Sequence, residues 1–140
     1  MTIQFDTETI RLITLFENLS GATVKDCIID NENNLVYFVV GENQAKFVIG
    51  KNGFKIKNIE RILKKRIRIF EFSDDVQKFV KNLIPKALEI KIVENQNEKV
   101  IIVKVDKTER PSIIGRNGRN LKILRKLLER NHKIKNLIIR

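Results

Sequence analysis

The sequence predicts an α+β protein made of two tandem units, each running α-β-β-α-α-β, with a three-stranded sheet packed by helices. Three observations carry that expectation. The chain repeats itself at a displacement of 65 residues, both halves pass through helical and strand periodicity in the same order, and Gly-x-x-Gly stands at equal depth in each half. At that displacement Ile49-Gly50-Lys51-Asn52-Gly53 falls on Ile114-Gly115-Arg116-Asn117-Gly118. Downstream, Ile56, Ile59, Ile62 and Leu63 fall on Leu121, Leu124, Leu127 and Leu128; upstream, Val36 to Val40 falls on Ile101 to Val105. A duplicated unit explains this register. The boundary is expected near Ser73, with a first domain over residues 1–72 and a second over 73–140.

Each half opens with a helical pattern. Leu12, Leu15, Phe16 and Leu19 are spaced i, i+3, i+4, i+7, as are Val76, Phe79, Val80 and Leu83, which is the apolar stripe of a half-buried helix. Gly21 stops the first helix and Pro85 limits the second. Two strands follow, Thr23 to Asp30 with Leu35 to Val40, and Glu89 to Val93 with Val100 to Val105, each pair joined by a turn rich in Asn and acid. Ile90 and Ile92, then Ile101, Val103 and Val105, alternate as half-buried strands do. A short helix, Glu42 to Ile49 or Glu109 to Ile114, runs into the glycine loop. A longer one, Lys55 to Lys65 or Asn120 to Arg130, leaves it, and a last strand closes each half at Arg66 to Phe72 and Lys133 to Ile139. Ser73 or Asp74 is placed to cap the helix that opens the second half.

Composition narrows the function. With 42% apolar and 32% charged residues the chain can bury a core beneath a well-solvated surface, and disorder would require far less to bury. The net charge of +11 attracts polyanions. Its distribution is uneven: before Lys46 only Arg11 and Lys25 stand against seven acids, whereas from Lys46 onward 26 cations face 10 acids. The longest purely apolar run, Leu35 to Val40, is far below the roughly 20 residues that span a membrane. Met1 to Asp6 lacks the basic start and apolar stretch of a signal peptide, and the single cysteine, Cys27, forms no internal disulfide. A cytoplasmic protein without a membrane partner is expected.

The chemistry concentrates at the two loops. A helix that ends and restarts within four residues needs backbone conformations that residues with a Cβ adopt poorly, and two glycines supply them. Their missing side chains also let a ligand backbone approach the main chain, where the next helix offers free N–H groups and partial positive charge to an anion. Lys51 and Arg116 add a full charge at the loop. The following helices crowd further cations on one face: Lys55, Lys57, Arg61, Lys64 and Lys65, then Arg119, Lys122, Arg125, Lys126 and Arg130. Such a face is often just a solvated surface; beside these loops it suits a nucleic-acid backbone.

Two Gly-x-x-Gly loops, each preceded by Ile and followed at the third residue by Ile56 or Leu121, within a duplicated α-β-β-α-α-β unit, resemble the KH family in its type II arrangement. The resemblance covers essentially the whole chain. It implies that each loop clamps the backbone of about four single-stranded nucleotides, through Gly50, Lys51, Asn52 and Gly53, and again through Gly115, Arg116, Asn117 and Gly118. It also implies an apolar groove floor with Ile49 and Ile56, and Ile114 and Leu121, for which plain core packing is the competing reading. Lys55 and Lys122 flank the two loops. Phe54 offers a ring to a base, with burial as the favoured alternative, and its counterpart is Arg119. Two such units in tandem are similar to the short archaeal members of the NusA family. That similarity implies single-stranded nascent RNA as ligand, a role in transcription termination or elongation, and RNA polymerase or its elongation complex as a further partner.

Nothing assembles a catalytic centre, a cofactor site or a small-molecule site. His132 is expected to cap the second long helix or face solvent, and Cys27 to fill a small core position. One His and one Cys make no metal-ligand cluster, although scattered carboxylates leave magnesium open. The nucleotide hydrolase loop G-x-x-x-x-G-K-[ST] does not occur. Two rival functions stay open: RNA binding in ribosome assembly or RNA processing, and an adaptor in which Asp26, Asp30 and Glu32 dock a basic protein while the units act as scaffold.

Overall fold

In the computed structural model, which describes residues 5–140, the chain divides after Ser73 into two units of the same design. The first opens with α1 (Thr7–Ser20), whose first turn is capped by the Asp6 carboxylate accepting the Thr9 N–H at 2.8 Å. Gly21, at φ 77°, ends it. The stripe that α1 buries is Thr9, Leu12, Phe16 and Ser20, with the Phe16 ring stacked 3.9 Å from that of Phe38. Leu15 and Leu19, expected in the same stripe, are 44% and 36% exposed. At about 100° per residue, Leu15 lies roughly a quarter-turn outside the true stripe, and Leu19 sits at its edge in the last turn.

Strands β1 (Val24–Asp30) and β2 (Leu35–Val40) pair antiparallel from Asp30↔Leu35 to Val24↔Val40, with a bulge between Val24 and Asp26. Asp30 Oδ2 accepts from Asn33 Nδ2 at 2.8 Å and so holds the turn between them. Strand β3 (Arg66–Glu71) lies parallel to β2, giving the order β1-β2-β3. Parallel neighbours require a crossover. Here it consists of α2 (Ala45–Ile49), a single 3-10 turn at Lys51–Gly53, and α3 (Phe54–Leu63). The glycine loop therefore sits in the middle of the crossover. Leu12, Phe16, Cys27, Val36, Phe38, Val40, Val48, Ile59 and Ile67 form the core beneath it, so Cys27 takes the small core position expected of it. Buried residues fix the crossover to the sheet, and Glu60 adds a bond by accepting the Ile67 N–H at 2.8 Å.

The second unit begins with α4 (Val76–Leu83), which buries Phe79, Val80 and Leu83. Its cap is Asp75, accepting the Gln77 N–H at 3.1 Å, one residue beyond the expected Ser73 or Asp74. Strands β4 (Glu89–Asn95) and β5 (Glu98–Lys104) extend further toward each other than expected, because Gln96 and Asn97 close the hairpin in two residues at φ 52° and 68°. Positive φ at both central positions is what such a turn demands. Helix α5 (Arg110–Ile114), a 3-10 turn at Arg116–Gly118, α6 (Arg119–His132) and β6 (Asn136–Ile139) repeat the crossover, with β6 parallel to β5.

Several boundaries differ from the sequence reading. Helix α2 starts at Ala45 rather than Glu42, since Gln44 Oε1 turns back to accept the Thr23 and Gly41 N–H groups at 2.8 and 3.1 Å. Helix α6 runs to His132, and Lys133, at φ 57°, closes it before β6 begins at Asn136. His132 does not simply face solvent: its ring packs 5.1 Å from that of Phe79. The two strands pair as expected, with Ile90 opposite Val103 and Ile92 opposite Ile101, yet Ile92 is 39% exposed. Helix α4 has eight residues against fourteen in α1, about 9 Å less cover for the strand beside it.

The revised α1 stripe is testable by urea denaturation. Phe16→Ala removes a fully buried stacked ring and is expected to cost about 3–5 kcal/mol. Leu15→Ala is expected to cost less than about 1 kcal/mol.

Candidate nucleic-acid interface

Each crossover turns at a glycine in a conformation reserved for that residue. Gly50 has φ 77°, ψ 177° and Gly115 φ 78°, ψ 170°, a region that side chains exclude. A Cβ on Gly50 would lie 2.6 Å from Lys55 Cβ, and one on Gly115 would lie 2.9 Å from the Asn120 backbone nitrogen. The first glycine of each loop is thus required by the fold. Lys55 and Asn120, which press against them, are themselves pinned: Lys55 Nζ donates to Ser20 O at 2.8 Å, and Asn120 Nδ2 donates to Ser112 O at 3.0 Å.

The second glycine is different. Gly53 and Gly118 are left-handed at φ 73°, a conformation that Asn also adopts, as Asn52 and Asn117 do beside them at φ 56° and 57°. A Cβ on Gly53 would meet only Ile56 Cγ2 at 4.0 Å, and one on Gly118 would meet nothing within 4 Å. Space does not demand glycine here, and what favours it is the left-handed φ alone. The same surface carries unused donors. Gly53 N–H closes onto Gly50 O at 3.2 Å, and Phe54 N–H onto Lys51 O, while the N–H groups of Lys51 and Asn52 take no acceptor among the described residues. Gly118 N–H likewise closes onto Gly115 O at 3.1 Å.

The side chains of Lys51, Asn52, Arg116 and Asn117 are exposed at the loop tips. Of the expected groove residues, Ile49 is 39% exposed, Ile114 and Leu121 are half-buried, and Ile56 packs partly against the core. Lys57, Arg61, Lys122 and Lys126 point to solvent from α3 and α6. Two expected cations are committed elsewhere. The Lys55 ammonium lies on Ser20 O and 5.1 Å over the Phe47 ring, and Arg125 Nε donates to Leu137 O at 3.1 Å. Arg119 is half-buried. Phe54, for which burial was favoured, is 69% exposed. The lock of α3 onto the end of α1 through Lys55 had no signal in the sequence beyond the lysine itself.

The acids offered for an adaptor surface are largely used within the first unit. Asp26 is buried and its Oδ1 accepts the Cys27 N–H at 2.8 Å, while Asp30 holds the β1–β2 turn. Among the described residues no group of three or more His, Cys, Asp or Glu could hold a metal ion, and no helix is long and apolar enough to cross a membrane.

Comparison with known proteins points both units to one family. A family model described as "KH domain" matches residues 11–81, and one described as "KhpA/KhpB, KH domain" matches residues 73–133. A relative from Methanococcus vannielii, named "Probable transcription termination protein NusA", is 37% identical over 86% of this chain and 70% of its own. Its namesake from Methanocaldococcus jannaschii is 32% identical over 94% and 72%. That from Thermoplasma acidophilum is 29% identical over 99% and 96%. The crystal structure of APE1850 superposes with a TM-score of 0.78 at 34% identity, covering 97% of this chain and all of that one, 100%.

The two glycines of a loop are expected to respond differently to substitution. Gly50→Ala or Gly115→Ala should lower stability by at least about 2 kcal/mol, combining strain with a steric clash. Gly118→Asn should stay within about 1 kcal/mol of the parent, because Asn tolerates the left-handed region. Equal losses in thermal melts would contradict this division.

Proposed function

The chain belongs to the KH family, as a tandem pair of the NusA type, and on that footing we propose that it holds single-stranded nascent RNA on its two Gly-x-x-Gly loops and acts in transcription termination or elongation. The observation that carries this reading is the open surface over Gly53 and Gly118, where no neighbouring atom stands closer than 4.0 Å to the space a Cβ would take. A phosphodiester fits that surface: it brings negative charge to the free N–H groups of Lys51 and Asn52 and to the exposed Lys51 and Arg116 side chains, as anions do at helix starts.

Each domain, 1–72 and 73–140, carries one clamp in this reading. Gly50 and Gly115 shape the turn, Lys51, Asn52, Arg116 and Asn117 meet phosphate, and Gly53 and Gly118 leave room for it. Ile49, Ile56, Ile114 and Leu121 line the floor on which bases pack, with Lys122 beside the second loop. Lys55 acts indirectly by holding the first loop. The work is binding, without chemistry on the RNA, and RNA polymerase or its elongation complex in the cytoplasm is the partner that would present the transcript. The relatives named for transcription termination support that placement. RNA crosslinked to the protein in cells tests it: nascent transcripts agree, and ribosomal RNA alone would move the function to ribosome assembly.

The clamp itself is tested in vitro. The variant carrying Lys51→Asp, Asn52→Asp, Arg116→Asp and Asn117→Asp should lose single-stranded RNA binding while its circular dichroism matches the parent. For the parent, each phosphate contact should contribute about −0.7 to the slope of log affinity against log salt. Preference for duplex RNA of equal length would count against the groove, which takes unpaired bases.

A further inference from the structure

On α3, Phe54, Lys57 and Arg61 are spaced i, i+3, i+7 and form one exposed stripe, opposite the buried Ile59. The matching stripe on α6 is Arg119, Lys122 and Lys126. The two crossovers are therefore alike in charge at two positions and different at the one that adjoins the loop. Phe54 is 69% exposed, the most exposed large apolar side chain among the described residues. Burying such a ring would stabilise the fold, and the fold forgoes that gain directly after Gly53.

The surroundings select what the ring can receive. An apolar protein surface laid on Phe54 would have to desolvate Lys57 and Arg61 on the same helix face. A nucleobase would not: its face covers the ring while the phosphates on either side stay near the cations and the loop. The ring also follows the open Gly53, so a strand passing over that glycine reaches Phe54 next.

We propose that the two clamps are unequal: Phe54 stacks a nucleobase of the strand held by the first loop, so the first domain adds an aromatic stack to its floor and backbone contacts. The second domain, with Arg119 at that position, lacks this stack and adds charge to its grip on the backbone instead. This rests on the RNA reading above and adds a specificity-determining residue to it. Stacking contributes affinity without releasing counterions, whereas each lysine contact releases them. The two domains are thus separable by salt.

The test uses the full chain, a single-stranded oligoadenylate, and the same strand with abasic sites, with affinities read by fluorescence anisotropy across a salt series. Phe54→Ala should weaken oligoadenylate binding about 5- to 150-fold, the loss of one base–aromatic stack, with the salt slope unchanged. Phe54→Trp should restore the affinity. Lys122→Ala should instead reduce the magnitude of the slope by about 0.7. The parent should bind the abasic strand more weakly than oligoadenylate, with the gap narrowed in Phe54→Ala. If Phe54→Ala binds as the parent does while the fourfold loop variant loses binding, the clamp stands and the stacking role is overturned. If the parent binds neither strand, both fall.

Discussion

Between α2 and α3 the main chain doubles back so closely that Gly50 has no room for a side chain, its Cβ position lying 2.6 Å from Lys55 Cβ. Gly115 and Asn120 repeat the contact in the second unit. This approach of backbone to the helix that follows decides what the loop can offer. It ends one helix, aims the next, and leaves the Lys51 and Asn52 N–H groups without an acceptor among the described residues. The residue pressed against each glycine is held by a hydrogen bond of its own, from a lysine ammonium to Ser20 O in one copy and from an asparagine amide to Ser112 O in the other. The geometry is the same although the chemistry that fixes it has diverged.

The sheet explains why the turn lies where it does. β3 runs parallel to β2 and β6 parallel to β5, so the chain must cross over one face between them. Val48 and Ile59, on either side of the loop, are 0% and 1% exposed and anchor that crossover to the core. The loop between these anchors contributes no buried residue to the core, which leaves it open for the proposed recognition. Packing demand thereby changes within a span of a dozen residues: a side chain at Gly50 would collide with Lys55, whereas one at Gly53 would meet only Ile56 at 4.0 Å, and the proposed clamp uses that opening.

The parts legible in the sequence were those written by local rules or by repetition. Duplication located both loops and gave the element order; a continuous apolar run marked β2 and apolar alternation marked β5, whose partners lie on both sides. Where a neighbour's size or reach mattered, periodicity was insufficient. Leu15 satisfied a helical spacing yet faces out, because spacing alone does not fix which side meets the sheet. Ile92 alternates correctly yet is 39% exposed, in the unit whose opening helix has eight residues against fourteen in α1. Lys55 looked like another surface cation, and only the fold brings it to the last turn of α1. Phe54 reads as a core residue by composition; its exposure follows from its place at the start of α3, opposite Ile59.

The central claim is that RNA passes over the loops rather than over the outer sheet edges or α1 and α4. The most direct measurement is a titration of isotopically labelled protein with single-stranded RNA, followed through its backbone amide resonances. The largest shifts should fall on Lys51, Asn52, Gly53 and Phe54, and on Arg116, Asn117, Gly118 and Arg119, with β1 and β4 little changed. Large shifts along α1, α4 or β4 with silent loop amides would contradict it.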